Sequence, residues 1–123
     1  MPAAMRTWLT LAAILGFLCV ALGAFAAHGL TDPRAQAWMR TAAEYGFVHV
    51  LASFACLSLV RAGATRARFA PPLFLAGAAV FSGTLAAMAL GGPLWLGAVT
   101  PLGGLLLLAG WAWLAWAVRR LEV

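Results

Sequence analysis

Lysine is absent from this chain of 123 residues, and acids are nearly so: Asp32, Glu44 and Glu122 are the only three. Charged residues amount to 9%, where a soluble globular domain carries about a quarter. Cysteine occurs twice, at Cys19 and Cys56, with no C-x-x-C pair and no Cys/His spacing suited to a metal. Also missing are a glycine-rich phosphate loop, a Ser/His/Asp arrangement on an elbow and a pair of carboxylates. Each shortage removes a class of function. The chain is read as no enzyme, with no cofactor and no metal. The formal net charge of +5 does not make a nucleic-acid face, because the arginines form no stripe interleaved with polar contacts.

What fills the chain instead is apolar: hydrophobic residues make up 65%. Four uncharged stretches stand out, at about residues 8–27, 47–60, 72–90 and 101–118. Three approach or reach the roughly 20 residues that a helix needs to cross the hydrocarbon of a bilayer. The second gains that length from the amphipathic run before it. The expected fold is therefore all-α: one domain, residues 1–123, of four transmembrane helices in a compact bundle. Arg6, the apolar core after it and Ala24-Phe25-Ala26 also resemble a cleavable signal peptide, but the apolar run exceeds a usual h-region. It is read as a retained span.

The arginines orient the bundle. If four helices alternate, Arg6, Arg61, Arg66, Arg68, Arg119 and Arg120 share one side. The other side holds Arg34 and Arg40, offset by Asp32 and Glu44, and an uncharged loop at 91–100. By the positive-inside rule both termini of this multi-pass chain face the cytoplasm. That arginine-rich rim should favour anionic lipid headgroups.

Helix punctuation is clear. Gly29 stops the first helix, Asp32 caps the second and Pro33 occupies its first position. From residue 33 to about 60 only Gly46 interrupts, and about 42 Å of helix exceeds the hydrocarbon thickness. Residues 33–40 should then lie as a short interfacial helical segment before the second span, with Trp38 at headgroup depth and a bend near 43–46. Pro71-Pro72 opens the third helix, Gly91-Gly92-Pro93 ends it, and Pro101 starts the fourth with Thr100 as its cap. Small residues (Ala12, Gly16, Gly23 and Ala27; Gly77, Ser82 and Gly83; Gly103, Gly104 and Gly110) should mark helix contacts. Trp111, Trp113 and Trp116 suit an interfacial belt. Cys19 and Cys56 differ in depth by about 7 Å, so both are read as packing residues.

Polar groups at membrane depth are the candidates for function. His49 leads. Tyr45 and Ser53 lie one turn to either side on the same face, and Ser82 and Thr84 come to a similar depth on the third helix. Two readings stand: a site that accepts a proton or coordinates a ligand, or a neutral imidazole locked by interhelical hydrogen bonds. The second is preferred. His28 and Glu44 lie near the outer boundary, where they should pair as a clasp over the first loop. His49 lies about 10 Å deeper than His28, too far for one ion to bind all three.

The ordered segments Gly23-Ala24-Phe25-Ala26-Ala27-His28-Gly29-Leu30, Trp38 with Thr41-Ala42, Tyr45 and His49, Phe81-Ser82-Gly83-Thr84-Leu85, and Leu96-Gly97-Ala98-Val99-Thr100-Pro101-Leu102-Gly103-Gly104 with Gly110-Trp111 resemble an uncharacterised family of small inner-membrane proteins that includes bacterial YgdD. Two positions depart from its pattern: Ala26 where Gly is usual, and Gly46 where Gln often follows the Tyr. The resemblance implies four membrane helices and strengthens His28, Tyr45, His49, Ser82 and Thr100 as positions to watch. It implies no substrate. The functional expectation is a non-catalytic membrane protein acting by contact, as an accessory or assembly subunit or a lipid-contacting module. Its partners would be membrane lipids and a protein partner or second copy within the membrane. The alternative is binding or permeation of a small molecule or proton at the polar site around His49.

Overall fold

The computed structural model describes residues 1–121 and contains four long helices: α1 (Ala3–His28), α2 (Pro33–Arg61), α3 (Ala70–Ala89) and α4 (Thr100–Arg119). Short 3₁₀ turns, Thr65–Phe69 and Leu94–Ala98, precede α3 and α4. The first lies in the short basic loop and the second in the uncharged one. With either turn included where it leads into a helix, all four segments are long and apolar enough to cross a membrane.

Helix ends follow local chemistry. The Asp32 carboxylate accepts from the Ala35 N–H at 2.9 Å, with Pro33 in the first helical position. Gln36 Nε2 donates to Leu30 O at 2.6 Å and ties the loop to the helix it precedes. Gly29 does end α1, but its φ of −103° is ordinary for any residue. A Cβ there would meet the Phe25 ring, which is exposed and would have to turn aside. Gly91, which closes α3, has φ +95° and is the conformational case. Thr100 differs from its expected role as a cap. It is the first residue of α4, and its hydroxyl donates back to Leu96 O at 3.1 Å.

The α2 helix runs from residues 33–40 into the apolar stretch without a break at 43–46, so no separate segment precedes the second span. Gly46 sits there against Cys19 of α1, where a Cβ would meet the sulfur. Both thiols are free and buried.

In packing order, α2 lies between α1 and α3, and α3 lies between α2 and α4. Small residues form the crossings. A Cβ on Gly23 would meet Ala43 at 3.7 Å, and one on Gly16 would meet Val50 at 3.4 Å, so α1 and α2 approach closely. The α3–α4 crossing is tighter: Gly103 lies over the backbone of Phe81, and its Cβ would come within 2.8 Å of Gly77 O. The interior holds Ala12, Ala42, Ala78, Met39 and Phe74, while Phe17 is 75% and Leu108 66% exposed. Many large apolar side chains face out while alanines supply much of the interior, an arrangement lipid allows because it gives apolar side chains no reason to hide.

Candidate functional site

His49 comes from the middle of α2, on the face turned towards α3 and α4. Its residue is 4% exposed. Nδ1 lies 2.5 Å from the Tyr45 carbonyl, and Trp111 Nε1 of α4 lies 3.0 Å from Nε2. A carbonyl only accepts and an indole N–H only donates. The ring is therefore the neutral Nδ1–H tautomer, with both nitrogens engaged. Phe74 and Trp111 pack around it, with ring centroids 5.4 and 5.8 Å away.

The other expected partners lie elsewhere. Ser53 donates to the His49 carbonyl at 2.8 Å, not to its ring. Ser82 crosses to α2 but reaches the Ala42 carbonyl at 2.7 Å. Thr84 and Thr100 join hydroxyl to hydroxyl at 2.6 Å and link α3 to α4 away from the imidazole. The polar residues thus divide into three separate interhelical ties, because hydroxyls in a helix find a carbonyl of their own turn or a neighbour before they reach across a bundle. His28 and Glu44 are both exposed, and no hydrogen bond or ion pair joins them among the described residues. Asp32 and Gln36 hold the first loop in their place. Among the described residues no three His, Cys, Asp or Glu side chains converge as a metal site.

Trp111 is the residue the sequence reading misplaced. It belongs to no interfacial belt but reaches α2 from the middle of α4. An indole N–H at that depth needs an acceptor, and His49 offers the free ring nitrogen.

Beside this pair runs a lateral groove of about 750 Å³ between α2 and α4, floored by Phe81 of α3. It exists because α4 packs on α3 and meets α2 mainly through side chains. Val48, Leu105 and Leu108 form its walls, Glu44 and Tyr45 stand towards the end nearer the α1–α2 loop, and Trp111 closes the other. Tyr45 packs on Phe81 with centroids 4.7 Å apart. The surface is almost wholly apolar, and the nearly buried His49 is among the residues that line it.

Residues 22–104 match the family model described as protein of unknown function DUF423. The chain belongs to this family. A UPF0382 membrane protein of Haemophilus influenzae is 43% identical over 113 residues, covering 89% of this chain and 90% of that protein. The UPF0382 inner membrane protein YgdD of Escherichia coli K12 is 37% identical over 121 residues, covering 95% and 92%. A UPF0382 membrane protein of Schizosaccharomyces pombe is 38% identical over 117 residues, covering 88% and 97%. No solved structure matches. With four apolar spans and membrane-protein relatives over nearly its whole length, this DUF423 chain is an integral membrane protein.

Proposed function

We propose that this protein is a non-catalytic, multi-pass protein of the inner membrane that acts by contact, and that its working surface is the lateral groove. The guest is a lipid chain or a lipid-like apolar molecule entering from the bilayer plane. The observation that carries this reading is the groove itself: about 750 Å³, apolar and formed where α4 stands off from α2. That volume lies within the range of ordinary ligand sites. A role as accessory or assembly subunit fits the same surface. The small residues Gly16 and Gly23 of α1 already face α2 within the bundle and are not available to a second copy.

Binding or permeation of a small molecule or proton at His49 itself is the second reading, favoured by the place of His49 in the groove lining. It requires a free ring nitrogen, and so requires Trp111 to swing away first.

Retention of lipid tests the proposal. After exhaustive washing in mild detergent, native mass spectrometry should find one apolar molecule held per chain. Leu108→Trp, which fills the groove, should lose it while the helical signal stays intact. A wild-type protein that washes free of such molecules, or a filled variant that keeps its guest, would overturn the reading.

A further inference from the structure

The end of the bundle carrying six arginines contains a second, quite different cavity. It is a cleft of about 260 Å³ between the turn after α2 and the last turn of α4, lined mainly by polar atoms of Gly63, Thr65, Arg66 and Arg120. Two guanidinium groups from distant parts of the chain meet at this cleft, and both are held. Arg66 lies 4.8 Å and Arg120 5.5 Å from the centroid of the same Trp116 ring. A guanidinium on an indole face is attracted by the ring and loses rotamer freedom before any ligand arrives.

The loop is fixed as well as its side chains. The Arg66 carbonyl accepts from Trp113 Nε1 at 2.7 Å. Ala64 and Ala67 pack on Ala117 beneath the cleft, and Gly63 makes the turn at φ +113°. Trp113 and Trp116 belong to the depth at which indoles meet headgroups, so the cleft opens where lipid phosphates lie. Guanidinium forks match phosphate oxygens, and two of them disfavour a headgroup bearing its own ammonium.

We propose that the cleft lined by Arg66 and Arg120, whose guanidinium groups stack on Trp116, is a binding site for the phosphodiester headgroup of an anionic phospholipid.

The test uses the full chain, with native mass spectrometry in detergent supplemented by phosphatidylglycerol or phosphatidylcholine of identical chains. The first equivalent of phosphatidylglycerol should be preferred by about tenfold or more. Arg66→Gln with Arg120→Gln should abolish that preference. Arg6→Gln with Arg68→Gln, which removes equal charge from the same end but outside the cleft, should retain it. Equal loss in both double variants would mean a diffuse surface effect and would overturn the proposal. So would displacement of the lipid by millimolar inorganic phosphate, because the site would then take the free anion. Leu108→Trp should leave the preference unchanged. If filling the lateral groove removes it, the anionic lipid sits in that groove and not at the arginines.

Discussion

At the scale of single residues, the decisive pair is His49 and Trp111. Each satisfies the other, and either left alone would place an unpaired polar group among Phe74, Val48 and Leu107. Hydrogen bonds between membrane helices contribute about 0.6 kcal/mol on average and up to about 1.7. In a double-mutant cycle on detergent unfolding, His49→Ala and Trp111→Phe should show a coupling energy of that size. Strictly additive losses would mean that the bond contributes nothing. Nitrogen NMR of labelled histidine should further show the His49 proton on Nδ1, the tautomer required by a carbonyl on one side and an indole donor on the other.

At the scale of elements, the α3–α4 crossing depends on having no side chain at Gly103. The Phe81 backbone and the Gly77 carbonyl occupy that space. Gly103→Leu should separate the helices and cost at least about 1–3 kcal/mol as overpacking, lowering the thermal midpoint in detergent. Gly83→Leu on α3 makes a matched control, since nothing lies within 4 Å of its Cβ direction. Comparable losses at the two positions would show that helix propensity, not the close crossing, sets the effect. The same crossing creates the groove: by drawing α4 onto α3 it leaves α2 exposed along Val48.

At the scale of the molecule, the arginines divide the two ends. Arg66 and Arg120 meet at one end, beside Trp113 and Trp116. The other end carries Arg34 stacked on Trp38 at 4.4 Å. Reporter fusions at Met1 and Val123 should both report the cytoplasm, as the excess of arginine at their end requires. Opposite compartments would contradict an even number of spans.

Much of this was already present in the order of residues. Four apolar runs with Gly29, Asp32-Pro33, Pro71-Pro72 and Gly91-Gly92-Pro93 between them specify four helices, because backbone groups in lipid must bond within their own helix and only such punctuation releases them. Depth counted by rise along each helix puts His49, Ser82 and Thr84 at one level, and the structure does not: Ser82 meets the Ala42 carbonyl two turns from His49, and Thr84 meets Thr100 at the first turn of α4, whereas His49 meets Trp111 near its middle. Depth does not give azimuth. Where a hydroxyl comes out relative to the imidazole depends on how far each helix is shifted along its neighbour, how it is rotated and how near that neighbour comes. Gly77, Gly103 and Gly110 decide that only once they meet Phe81, Leu107 and Phe74. For that reason the pairing of Trp111 with His49, the groove beside them and the meeting of Arg66 with Arg120 belong to the tertiary structure alone. Each joins helices whose separation no local pattern of residues records.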